Sequence, residues 1–238
     1  APAKPRYVFL FIGDGMGLPQ ISAAQYYYAA KEGKAGESKL LMTGMPYQGI
    51  TTTYSSESPI TDSAAAGTAM ACGVKTYNAA LGMDAGKKPY ASIAELAKAR
   101  GQKVGLVSSV SLDHATPAAF YAHQESRRSY YEIGMELAKS NFDFFGGGGF
   151  LDPDGKKSKN PQGSVLDSAK KAGYAIAADR AAFEKLSPKS GKAIAMNPRL
   201  PDEEAMPYAI DTRNPDITLA EFTGKAIEML DNPKGFFL

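Results

Sequence analysis

At 238 residues the chain is long enough to bury a substantial core. Hydrophobic residues make up 44% of it and charged residues 22%, close to globular averages, which excludes disorder as the default state. Lysine and arginine exceed aspartate and glutamate only by 27 to 25, too even a balance for an electrostatic grip on nucleic acid, and the longest apolar run, Tyr7 to Ile12, is too short to span a bilayer.

In chain order the sequence alternates strand-like and helix-like stretches, the pattern of an α/β fold with a largely parallel sheet. The Ala-Pro-Ala start has the small residues left behind when a leader is cleaved. Tyr7 to Ile12 is apolar on both faces, as expected of a central strand covered on each side. It runs into a glycine-rich turn, Gly13-Asp14-Gly15-Met16-Gly17, and then a helical stretch carrying Ile21, Ala24 and Tyr28. Ile50 to Tyr54, β-branched and aromatic, reads as a second strand. Thr61 to Cys72 is alanine-rich and closed by Gly73, a helix with a glycine stop. Cys72, the single cysteine, reads as a small buried hydrophobe.

Ser92 with Glu95 forms a capping-box pattern, with Leu96 as a core position and Gly101 ending the helix. Val104 to Val107 follows as a buried strand, and Phe142 to Phe145 as another, leading into the glycine run Gly146 to Gly149, which permits close backbone approach. Asp152 to Gly163 reads as an exposed loop, and residues 197–217, with four prolines, as a long irregular connection. Thr218 with Glu221 repeats the capping box, and Leu219, Phe222, Ala226 and Leu230 share one face of the helix that follows. The sequence stops inside Gly235-Phe236-Phe237-Leu238, which begins as a buried strand. The expectation is one domain over residues 1–238, truncated at its C-terminal end.

Three places hold residues that can do chemistry. Asp14 follows a strand, where open α/β sheets place their ligand crevice, although Gly-Asp-Gly is also an ordinary turn. A dinucleotide loop fits poorly there, because the glycine spacing is wrong and a carboxylate repels pyrophosphate unless a metal intervenes. Ser63 falls at a helix start, where unpaired N–H groups and the helix dipole favour an alkoxide or a phosphate; Thr61, Asp62 or Ser63 can equally be a plain cap. Gly73-Val74-Lys75-Thr76 resembles the end of a P-loop but lacks the upstream spacing. After the Val104 strand, Asp113, His114 and Thr116 offer oxygen or nitrogen donors to a metal, and Arg127 offers a planar fork of donors to a phosphate.

Taken in order and spacing, strand-Gly-Asp-Gly, Thr61-Asp62-Ser63-Ala64-Ala65 and His114-Ala115-Thr116-Pro117 with Arg127 resemble the alkaline phosphatase family over essentially the whole chain. The resemblance implies a three-layer α/β/α fold and a phosphomonoester hydrolase working through a phosphoserine with zinc and magnesium. By the same resemblance, Asp14 bridges a zinc and the magnesium site, and Ser63 is the nucleophile stabilised by that zinc. Asp62 orients Arg127, Arg127 holds two phosphate oxygens, and Thr116 is a magnesium ligand. His114 stands where some members have aspartate, and it bears on the choice of metal at the third site. Small phosphate monoesters and inorganic phosphate are the implied ligands, and a periplasmic or secreted homodimer the implied setting. No nucleic-acid partner is expected.

The chain departs from the family in its histidines. It has only two, His114 and His123, and neither matches a family zinc ligand, so the zinc sites are expected to be incomplete. His123, placed in a helix leading to Arg127, reads as structural or exposed. Two rivals remain: a non-catalytic module that binds phosphate or magnesium, and a related phosphodiesterase or sulfatase. Arg127 favours a dianionic monoester over a diester.

Overall fold

The computed structural model describes residues 5–238. Two compact units are present, one comprising the chain up to Leu10 together with Tyr54–Leu238, the other Phe11–Thr53. The larger unit is built on a six-stranded sheet whose strands all run parallel. These strands are β1 (Tyr7–Val8), β2 (Lys103–Ser108), β3 (Phe144–Gly147), β4 (Tyr174–Ala177), β5 (Lys192–Met196) and β6 (Phe236–Phe237), in the spatial order β1-β6-β2-β3-β5-β4. The helices are α1 (Leu18–Lys31) in the smaller unit, then α2 (Ser63–Cys72), α3 (Ile93–Ala99), α4 (Ala115–Ala118), α5 (Tyr130–Lys139), α6 (Val165–Lys171), α7 (Arg180–Lys185) and α8 (Leu219–Leu230) in the larger. This is the α/β architecture with a parallel sheet that the alternation of elements implied.

Both faces of the sheet are covered. Successive strand residues point to opposite faces, so Phe144 and Phe145 part company. Phe144 joins Ala193, Ala195 and Phe236 in one cluster with Phe183 of α7 and Phe222, Ala226 and Leu230 of α8. Phe145 packs on the other side, edge-on to Tyr121 at 5.6 Å and stacked with Phe142 at 6.0 Å. Double coverage is why the central strands are apolar without alternation. The glycine run closes β3 as a tight approach: at Gly147, with φ at 140°, a Cβ would sit 1.8 Å from the Ser108 carbonyl oxygen.

Several expectations change. The strand at Tyr7 to Ile12 is confined to Tyr7–Val8 and lies at the sheet edge, and Phe11 is 79% exposed. Among the described residues β1 pairs with β6 alone, so its apolar sequence is not matched by cover on both sides. Ile50 to Tyr54 forms no strand, and Ile50 is fully exposed, because β propensity without a paired neighbour leaves the backbone unsatisfied. The third strand starts at Phe144, two residues later than its apolar run. Leu96 and Leu219 are exposed, and the buried faces of α3 and α8 are carried by Ala94 and Ala97 and by Phe222, Ala226 and Leu230. Both capping boxes form as read, Ser92 with Glu95 and Thr218 with Glu221.

The smaller unit carries α1. Its buried Gln25 donates through Nε2 to Glu37 at 2.7 Å and accepts from the Thr43 hydroxyl at 2.7 Å, tying the helix to the segment after it. No helix among the described residues is long and apolar enough to cross a membrane.

Candidate active site

Asp62 is the N-cap of α2, and its extended backbone turns the chain into the helix. Its Oδ1 accepts the Ala65 N–H at 2.9 Å, the standard capping bond, which leaves Oδ2 for two longer-range partners. Those partners are the Ala79 N–H at 3.0 Å and Nη1 of Arg127 at 3.2 Å. One carboxylate therefore both caps α2 and bonds Arg127. Ser63 is the first helical residue, half-buried at the N-terminus of a ten-residue helix, where the dipole and the first-turn N–H groups favour negative charge.

Arg127 is delivered by a short antiparallel crossing of two loops. Leu81 and Gln124 exchange backbone bonds of 2.8 and 3.1 Å, and the Arg127 N–H donates to the Ala79 carbonyl at 2.7 Å. Glu136 of α5 anchors the far end by accepting the His123 N–H at 2.6 Å. His123 is thus in an irregular segment rather than a helix, half-buried, with Nε2 3.1 Å from the Tyr90 carbonyl oxygen; its role is structural. The Arg127 Nη2 lies 3.4 Å from Nε2 of His114, which places the guanidinium between His114 and Asp62.

His114 caps α4, and Thr116 lies within that helix. α4 reaches the site because α2 has a glycine where the two helices touch: a Cβ on Gly67 would come 3.1 Å from the Ala119 Cβ and 3.8 Å from the Thr116 Cα. Gly67 is one turn after Ser63, so serine and threonine sit on elements packed directly together. Asp113, just before His114, is committed to the segment after the glycine run. It is 1% exposed and accepts the Leu151 N–H at 2.8 Å, and burial pushes its carboxyl up to about 6. It anchors the loop to the segment after the glycine run rather than acting as an open donor.

Among the expected site residues, Asp62, Ser63, His114, Thr116 and Arg127 all lie in the larger unit. Asp14 is in the smaller one, exposed in a turn where the Met16 N–H donates to the Gly13 carbonyl at 3.3 Å. That turn is six residues beyond the end of β1, not immediately after it as the apolar run implied. Two residues the sequence reading missed are Asn78, which bonds the backbone ahead of Ser63, and Ala79, which bonds both Asp62 and the Arg127 N–H; a Tyr-Asn-Ala-Ala stretch gives no sign of this.

The pattern of the alkaline phosphatase family matches residues 5–238. The chain belongs to the alkaline phosphatase family. It is 35% identical over 250 residues to alkaline phosphatase 4 of Bacillus subtilis, covering 99% of this chain and 50% of that one. Among solved structures, the cold-active alkaline phosphatase of a Shewanella species superposes with a TM-score of 0.81 at 31% identity, covering 98% of this chain and 55% of the other. A variant of the alkaline phosphatase from the Antarctic bacterium TAB5, with a histidine replaced by aspartate and Mg bound in its M3 site, superposes with a TM-score of 0.78 at 34% identity, covering 98% and 62%. The chain spans about half the length of the curated relatives it matches.

Family membership raises the question of metals. Among the described residues there is no group of three or more His, Cys, Asp or Glu side chains placed to hold a metal ion. A zinc centre needs about four such ligands, so these donors do not fit one. Oxygen-rich magnesium coordination asks less of the protein, since that ion keeps several waters, and the Thr116 hydroxyl is a suitable donor for it.

Proposed function

We propose that this chain is the phosphate-gripping, nucleophile-bearing part of a phosphomonoester hydrolase, with Ser63 as nucleophile. The observation that supports it is the Arg127 guanidinium held 3.2 Å from Asp62, the residue that caps the helix Ser63 begins. Arg127 presents its fork to two oxygens of a bound phosphate, and Asp62 keeps the fork from swinging away. The first turn of α2 adds N–H donors and a positive dipole end to the same anion. In the reaction proposed, Ser63 Oγ bonds to phosphorus as the bond to the leaving alcohol breaks, the hydroxyl proton passes through solvent to the alcohol, and water later releases inorganic phosphate from the serine. When bound, divalent metals supply Lewis-acid stabilisation of the attacking and leaving oxygens. Thr116 is the proposed magnesium donor, and His114 beside it is proposed to bear on which metal binds; the resemblance separately makes Asp14 a proposed metal ligand. No step is assigned to zinc, for which the described residues provide no complete set.

Resemblance to the family also carries the proposals of a periplasmic or secreted setting and a homodimer. The test is hydrolysis of an aryl phosphate by the parent and by Ser63→Ala, with a search for phosphate on the peptide containing Ser63. We expect loss of turnover by at least about a thousandfold and loss of the phosphopeptide. An unchanged rate in the variant sinks the nucleophile assignment. The missing zinc donors favour a second reading, a module that binds phosphate and magnesium without turnover; calorimetric phosphate binding with no hydrolysis by the parent decides for it.

A further inference from the structure

Asn78 has no place in the chemistry just described, yet its bonds converge on it. Its Oδ1 accepts the Asp62 N–H at 3.2 Å, and its Nδ2 donates to the Ile60 carbonyl at 3.1 Å. One amide thus bonds the backbone on both sides of Thr61, immediately ahead of Ser63. Its own N–H donates to the Glu57 carboxylate at 3.2 Å, which fixes the base of the clamp. Asparagines in loops ordinarily bond their own backbone one or two residues on. Here the partners are 16 and 18 residues away in sequence.

Ala79 continues the clamp. Its N–H donates to Asp62 Oδ2 at 3.0 Å and its carbonyl accepts the Arg127 N–H at 2.7 Å. It holds a left-handed backbone, φ 73°, that alanine adopts only against strain. With both backbone groups committed, one to the serine turn and one to the arginine segment, the strained conformation is locked by its surroundings. Residues 78 and 79 therefore tie the backbone ahead of Ser63 to the segment that carries Arg127.

We propose that Asn78 is a positioning residue for Ser63, fixing the entry of the chain into α2 through Ile60 and Asp62. The proposal rests on the reading of Ser63 and Arg127 as a phosphate site. Small displacements of reacting groups carry large penalties, so a loosened entry should be felt at the site before it is felt in the fold.

The experiment compares the parent with Asn78→Ala, Asn78→Asp and Arg127→Ala, by amide hydrogen exchange and by calorimetric titration with inorganic phosphate in the presence of Mg²⁺. Asn78→Ala is expected to speed exchange at the Asp62 N–H and to weaken phosphate binding about tenfold, while amides of β2, β3 and β5 keep their protection. Asn78→Asp keeps an acceptor for the Asp62 N–H, and slow exchange should return at that amide. The proposal fails if Asn78→Ala binds phosphate within about twofold of the parent while Arg127→Ala does not. A parent that does not bind phosphate, or an Arg127→Ala that binds as tightly, overturns the underlying site reading and the proposal with it.

Discussion

A single carboxylate, that of Asp62, caps α2 and restrains Arg127, and residues around it are under corresponding constraint. Ala79 is the clearest case, since its left-handed backbone at φ 73° is one that glycine adopts freely. Ala79→Gly is expected to stabilise the fold by about 0.5–1 kcal/mol, the relief of strain less the added chain entropy, seen as a higher denaturant midpoint at unchanged slope. A lower midpoint would mean that the alanine methyl contributes packing worth more than the strain. Cys72 shows the opposite situation. It is half-buried rather than fully buried as its sequence setting implied; desolvation pushes its thiol up to about 11 and it donates to the Tyr90 carbonyl, which keeps it unreactive. The residues of the candidate site that stand out in the sequence are Asp62, Ser63, His114, Thr116 and Arg127, because their side chains carry charge or donor atoms in a recognisable order. Asn78 and Ala79 were not legible, because their importance lies in which distant backbone groups they meet.

The elements most readable in advance were those that carry explicit terminal signals. Thr218 and Glu221 satisfy each other's backbone N–H groups at 3.2 and 2.8 Å at the start of α8, as the capping box requires. Arg180 from α7 adds a bond of 2.9 Å to Glu221, and with the Thr218 bonds it draws that carboxyl from 4.5 down to about 2. A lowered folded-state pKa stabilises the fold above the unfolded value and loses that contribution as the pH falls towards the folded one. The carboxylate is partly exposed, so after solvent screening the contribution is about 1 kcal/mol, present above pH ~4.5 and gone near pH ~2. Glu221→Gln should therefore be less stable than the parent at neutral pH and converge with it in acid, measured by denaturant unfolding across that range. A gap of the same size at both ends would assign the effect to packing instead. β4, β5, α6 and α7 lacked such legibility. Tyr-Ala-Ile-Ala and Lys-Ala-Ile-Ala-Met are short and alanine-rich, and six- or seven-residue helices hold too few turns to show a period. Ile50 to Tyr54 erred the other way, with strand composition and no partner strand.

At the scale of the whole chain, the late strand β6 lies between β1 and β2, so residues separated by most of the sequence are sheet neighbours. Such pairing closes long loops, and it must be held by local fit as well as by burial. Gly235 supplies that fit. Its φ is 81°, and a Cβ there would lie 1.7 Å from the Arg6 carbonyl oxygen, which accepts the Phe236 N–H at 3.0 Å. The Leu238 N–H then donates to Val8 and the Leu10 N–H to Leu238, both at 2.9 Å, while the Gly235 carbonyl accepts the Lys103 N–H at 3.2 Å. Gly235→Ala must move the backbone of Arg6 or of Gly235 itself, at a cost of about 2–4 kcal/mol. Because β2, β3, β5 and β4 pair with one another independently of that contact, the damage should be confined. Amide exchange is expected to quicken at Leu10, Phe236 and Leu238, with protection kept at Phe145 and Ile194. Loss of protection throughout the sheet would instead show that the contact between the two ends of the chain is required for the sheet to form at all.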